Sequence, residues 1–125
     1  MSEQTNPVQW FEIPVNDLER ARQFYETVFD LQLSLNEMGP MQMAWFPMTQ
    51  GGPGATGTLM QSEGYVPSHA GSLVYFAVTD IEGTLDKVNA NGGKTLLLKT
   101  GIGEYGYIAH FQDCEGNRVA LHSMT

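Results

Sequence analysis

The chain has 125 residues, enough for one ordinary domain and few for two independent cores, and with 42% hydrophobic and 16% charged residues, 14 Gly and 6 Pro it reads as a turn-rich globular protein. Fourteen acidic against six basic side chains leave a formal net charge of −8 with no basic run. That balance argues against nucleic-acid and anionic-membrane partners and suits a cationic one. The opening Met1-Ser2-Glu3-Gln4-Thr5-Asn6 has no basic region followed by an apolar one, and no apolar run approaches a membrane span, so the expected compartment is the cytoplasm.

A β-rich stretch from Trp10 to Val15 runs into Asn16-Asp17-Leu18-Glu19, where Asn16 and Glu19 have the spacing of a capping box. The helix predicted from there buries Leu18, Ala21, Tyr25, Val28 and Phe29 and turns Glu19, Arg20, Gln23 and Glu26 to solvent. Three short strands follow, Leu31 to Met38, Met41 to Met48 and Ala55 to Gln61, broken at Gly39-Pro40 and at the loop Gln50-Gly51-Gly52-Pro53-Gly54. Glu63 to Gly71 reads as a linker. The same grammar then starts again. Leu73 to Val78 is β-rich, Thr79 and Glu82 form a second capping box, and Ile81, Leu85 and Val88 make a helical stripe that stops at Asn91-Gly92-Gly93. Strands at Lys94 to Lys99, Tyr107 to Gln112 and Arg118 to Ser123 follow, with turns at Gly101 to Gly106 and Asp113 to Asn117.

The predicted fold is therefore α+β, a single domain over 1–125 made of two βαβββ modules, about 8–62 and 72–123, joined near 63–71. One helix covers only one face of a four-stranded sheet. Two such modules side by side form an incomplete barrel-like sheet around a cleft, with the helices outside.

The segment Ile13-Pro14-Val15-Asn16-Asp17-Leu18-Glu19-Arg20-Ala21-Arg22-Gln23-Phe24-Tyr25, its match at Val78-Thr79-Asp80-Ile81 and the closing Asp113-Cys114-Glu115-Gly116-Asn117-Arg118 resemble the vicinal-oxygen-chelate superfamily of glyoxalases, bleomycin-resistance proteins and extradiol dioxygenases. The resemblance covers roughly residues 8 to 123. Enzymes of that superfamily hold a divalent metal between the modules on the first and last strands of each. The resemblance places those positions on Trp10, Leu73, Ala120 and near Thr58. The first three side chains cannot coordinate a metal, and a Thr hydroxyl is a poor ligand. The resemblance thus implies a protein without metal or other cofactor, of the bleomycin-resistance kind that sequesters a small molecule, and a homodimer. The alternative it leaves open is an enzyme, a glyoxalase-like lyase or isomerase or a dioxygenase relative. That enzyme would use Glu12 or His110 as a base, or a displaced divalent metal on Glu12, His110 and His122.

Strand alternation shows which side chains share the cleft. Glu12 lies on the face of Trp10, Tyr75 on that of Leu73, and Arg118 and His122 on that of Ala120, while Phe11, Ile13, Val15, Val74, Phe76, Val78, Val119 and Leu121 meet the helices. Turn parity sets His110 opposite Ala120, and repeat symmetry adds Trp45. The predicted ligand-binding set is Trp10, Glu12, Trp45, Thr58, Leu73, Tyr75, His110, Arg118 and His122, mostly apolar walls with a few polar groups. Its ligand is a planar or cationic small molecule. Either the tryptophans stack on that ligand, or they fill the vacated metal site and leave the domain to act through its surface. Glu12 is either an anchor or base, or a rim carboxylate that is paired to Arg118 or exposed. His69, in the linker, is expected at the surface.

Three further features are read as background. Cys114, the single cysteine, sits in a turn between two carboxylates that disfavour a thiolate. Met38, Met41, Met43 and Met48 form an adaptable wall or fill core space. The glycine-rich loop at 50–54 is followed by no Lys-Ser/Thr pair and no helix, so it is no phosphate loop and is read as a movable cover over one mouth of the cleft.

Overall fold

In the computed structural model, which describes residues 6–125, the first strand β1 (Trp10–Pro14) leads into α1 (Leu18–Phe29), followed by β2 (Ser34–Met38), β3 (Met41–Trp45) and β4 (Thr56–Gln61). The second module repeats the order as β5 (Tyr75–Ala77), α2 (Ile81–Ala90), β6 (Lys94–Gly101), β7 (Tyr107–Gln112) and β8 (Arg118–Ser123), with a 3₁₀ turn at Gly103–Tyr105 inside the turn expected at Gly101 to Gly106. The amino-terminal segment that bore on the compartment lies, up to Thr5, outside the described residues. Each module makes a four-stranded mixed sheet, ordered β1-β4-β3-β2 and β5-β8-β7-β6, and neither closes into a barrel. In each sheet the first strand runs parallel to the last, and the other pairs are antiparallel. This is the α+β fold of two βαβββ modules.

Both helices start one residue later than the capping boxes suggest. Asp17 accepts from Arg20 N at 3.2 Å and Asp80 from Gly83 N at 3.0 Å, so these, and not Asn16 and Thr79, are the caps. The reason is tertiary in the first case: the Asn16 amide is bonded to Glu115, which stands on the β7–β8 turn. Strand β2 also begins later than expected. The amides of Leu31 and Leu33 are bonded to Glu26, at its carbonyl (3.2 Å) and its carboxylate (3.0 Å), and cannot join a ladder. Strand β3 ends at Trp45, two residues before Pro47, which has no N–H to give.

Of the side chains predicted to meet the helices, Ile13, Val15, Val119 and Leu121 are buried and Phe11, Phe76 and Val78 pack on the same apolar cluster, which runs through both modules; Val74, ahead of β5, is half-buried and lies outside it. Phe11 and Phe76, on the first strands of the two modules, meet edge to face at 5.7 Å, and Phe29 of α1 stacks on Phe76 at 4.5 Å. Gly57 is required beside Phe11: a Cβ there would come within 2.2 Å of the Phe11 carbonyl oxygen and 2.7 Å of its ring.

The β7–β8 turn ties the second module to the first. Asp113 is fully buried, and its carboxylate accepts from Tyr25 Oη (2.7 Å), Asn117 Nδ2 (3.1 Å) and the amides of Glu115 (2.8 Å) and Asn117 (2.9 Å). Those four donors fill its acceptor sites, which is what lets a carboxylate stay inside. Glu115 in turn accepts from the Asn16 and Asp17 amides at the start of α1 and pairs with Arg20, while Asn117 Nδ2 donates to the Pro14 carbonyl at 2.8 Å. Cys114 packs within this turn. Burial, then the carboxylates of Asp113 and Glu115, push its thiol up to about 12, as its setting predicts.

Candidate functional site

The face of each sheet turned away from the helices carries the predicted set. In the first module Glu12 pairs with Thr58 and Thr58 with Trp45, while Trp10 pairs with Thr56. In the second, Tyr75 pairs with Ala120 and Ala120 with His110, and Ala77 pairs with His122. His110 thus stands opposite Ala120, and Trp45 occupies the matching place opposite Thr58. Leu73 is the exception, since it precedes the short β5 and holds no ladder position.

On the first module Trp10 and Trp45 meet edge to face at 5.7 Å, 82° between planes, and Thr58 beside them is fully buried. The Thr58 hydroxyl donates to the carbonyls of Ala44 (3.0 Å) and Leu59 (2.7 Å). So the two rings do pack against each other, yet Trp10 keeps 36% of its surface exposed. Beside it a space of about 500 Å³ opens between β1 and the loop before β4, lined by Gln9, Trp10, Met48, Gly52, Pro53 and Thr56. Sequence reasoning had the loop as a cover and Met48 in a candidate binding wall but missed Gln9, for which the sequence offers no signal. Of the other methionines singled out, Met43 is buried and Met38 exposed.

Glu12 is exposed and accepts from Tyr65 Oη at 3.0 Å, an unforeseen partner from the linker. The apolar enclosure that a general base at Glu12 calls for is not there. No ion pair joins it to Arg118 among the described residues, although both line a cavity of about 200 Å³ with Val66, Ser68 and Val74 at the seam between modules.

Arg118 instead turns to His110. Its Nε and Nη2 donate to His110 Nδ1 at 3.1 and 2.9 Å, and His110 Nε2 lies 3.3 Å from Tyr75 Oη. Burial first, and then the Arg118 charge, hold the His110 imidazole below its ordinary value. His122 Nε2 donates to the Tyr105 carbonyl at 2.6 Å, which leaves Nδ1 as its acceptor nitrogen. His69 is exposed and bonded to Gln112 at 2.8 Å.

The sequence model of the glyoxalase/bleomycin resistance protein/dioxygenase superfamily matches residues 8–121. The chain belongs to that superfamily. A glyoxylase-like domain-containing protein of Didymella fabae is 28% identical over 120 residues, with 91% of each chain covered. Among solved structures, a glyoxylase/bleomycin resistance protein/dioxygenase domain from Frankia superimposes with a TM-score of 0.73 at 14% identity over 96% of this chain and 98% of the other. A glyoxalase I mutant from Zea mays superimposes at 0.69 with 20% identity over 94% of this chain, which spans 46% of the maize chain. Similarity at these identities speaks for the fold.

Within the superfamily fold, the positions that the resemblance gives to metal ligands are Trp10, Thr58, Leu73 and Ala120, none of which brings a carboxylate, imidazole or thiolate. Among the described residues, no three His, Cys, Asp or Glu side chains stand close enough together to hold an ion. The displaced set of Glu12, His110 and His122 is likewise not gathered into one site. No helix among the described residues is long and apolar enough to cross a membrane.

Proposed function

We propose that this superfamily member is a binding protein that works without metal and holds a small, planar, cationic molecule in the cleft between its modules. The observation that carries the reading is the cleft face itself: Trp10 and Tyr75, one from each module, stay 36% and 47% exposed on the cleft faces of their first strands, and Glu12 offers a carboxylate two residues from Trp10. Flat exposed aromatics with a neighbouring carboxylate suit a planar cation. The donor set does not fit a divalent metal, so no step is assigned to one. An enzymatic reading on Glu12 or His110 finds less support, because Glu12 is exposed and both ring nitrogens of His110 have partners. The homodimer and the cytoplasmic setting belong to the same proposal.

The test is a titration of tag-free protein with metal-free bleomycin, a glycopeptide with a planar bithiazole arm and a cationic tail that the superfamily's name suggests, followed by tryptophan fluorescence and preceded by elemental analysis. The expected result is a saturable change without stoichiometric metal, weakened about fivefold in Trp10→Ala, since one aromatic contact contributes about 1 kcal/mol. Stoichiometric metal that disappears in Glu12→Ala would overturn the reading. Light scattering at twice the chain mass would support the dimer, and the single-chain mass would remove it.

A further inference from the structure

The hydrogen bonds of the second module's cleft face run in one direction, and that direction specifies a chemistry. Arginine has five N–H donors and no acceptor. Because Nε and Nη2 of Arg118 both reach His110 Nδ1, that nitrogen must be the acceptor, and the proton of the neutral ring sits on Nε2. Burial and the Arg118 charge keep the ring neutral near pH 7. The Nε2 hydrogen then points at Tyr75 Oη, 3.3 Å away, with the two rings edge to face at 5.9 Å. Tyr75 Oη is therefore an acceptor toward His110 and cannot donate back. Its own hydrogen is left for something else, on a side chain 47% exposed at the cleft. Arg118 also lines the seam cavity with Glu12.

From this we infer that Arg118, His110 and Tyr75 form a donor relay whose outer end, the Tyr75 hydroxyl, receives an acceptor oxygen of the ligand, a carboxylate or a carbonyl. This rests on the cleft reading and deepens it: the ligand joins a cationic or planar part to an acceptor oxygen, the first on Trp10 and Glu12, the second on Tyr75.

Two measurements test it. Nitrogen NMR of the imidazole reads the tautomer without any ligand, and the proton is expected on Nε2 of His110; a proton on Nδ1, or a doubly protonated ring at pH 7, overturns the relay. Benzoate and benzamidinium then serve as probes of matched shape and opposite hydrogen-bonding sense. Benzoate is expected to shift the Tyr75 and His110 ring signals saturably, and Tyr75→Phe to weaken it about tenfold, the loss of one hydrogen bond to a charged group. Benzamidinium is expected to leave those rings unmoved while acting near Glu12. Benzamidinium on Tyr75, or benzoate indifferent to Tyr75→Phe, overturns the relay and leaves the cleft reading standing. If neither probe nor bleomycin moves any cleft signal, both fall.

Discussion

At the scale of single residues, the second module's cleft face turns on Arg118, whose guanidinium bonds to His110 Nδ1 and whose charge bears on that ring. Turn parity locates His110 opposite Ala120 from sequence alone and repeat symmetry adds Trp45; the ladder agrees for His110 and sets Trp45 opposite Thr58. The bonding pattern was not legible, because a face holds several polar side chains and parity does not choose among their partners. Arg118 and Glu12 have opposite charges and lie near the same seam, yet Arg118 bonds to His110, its diagonal neighbour across β7 and β8. The choice has a titration consequence. His110 binds its proton less readily in the native state than in the unfolded chain, so its contribution to stability is complete above about pH 6.5, the ordinary value, and is lost as pH falls below it. A proton NMR titration should place the His110 midpoint below that value. Arg118→Gln should raise it, though not fully, since burial is the larger cause. A midpoint above 6.5 in the native protein would contradict the geometry. Cys114 gives a second residue-scale expectation. With its thiol near 12, its reaction with a disulfide reagent at pH 8 should be on the order of a thousandfold slower than that of an ordinary thiol, and should approach it on unfolding in denaturant.

At the scale of elements, the helices and strands were visible in their periodicity, and the errors fall at their ends. Three of them have a visible cause: Glu115 on the Asn16 amide, Glu26 on the amides that would have extended β2, and Pro47, without an N–H, just beyond β3. The turn between β7 and β8 is the element on which most of this depends, and Tyr25 and Asp113 are its buried centre. Tyr25→Phe removes one donor to a carboxylate and should destabilise the fold by about 1–3 kcal/mol in chemical denaturation. The same pair predicts an alkaline limit. Burial first, and then the Asp113 charge, raise the Tyr25 phenol well above its ordinary value. Its contribution is therefore fully present below about pH 10 and is lost as pH rises beyond that, because the unfolded chain releases the proton first. Wild-type stability should fall above pH 10, and the fall should be shallower in Tyr25→Phe; equal slopes would mean that other groups govern it.

At the scale of the whole molecule, the repeat in the sequence invites the idea of two separable halves, and the packing argues the other way. The apolar cluster contains Ile13, Phe24 and Leu59 from the first module and Ile81, Phe111 and Leu121 from the second. Phe24 of α1 stacks on Phe111 of β7 at 6.2 Å, and the carboxylate of Asp113 is completed by Tyr25 of the other module. A lone module would expose that shared surface and leave Asp113 or Tyr25 buried without its partner, and a chain of half this length has little apolar area in reserve. The whole chain should therefore unfold as one unit. The two tryptophans make this easy to check, because Trp10 and Trp45 both stand in the first module, so their fluorescence reports that module alone, whereas far-ultraviolet circular dichroism reports both helices. Denaturation followed by the two probes should give coincident midpoints, and Phe111→Ala, a change in the second module, should move the fluorescence transition as far as the dichroism one. Separate midpoints, or a fluorescence transition indifferent to Phe111→Ala, would mean that the modules are stable independently and that the cleft between them is an interface between two bodies, free to change its width.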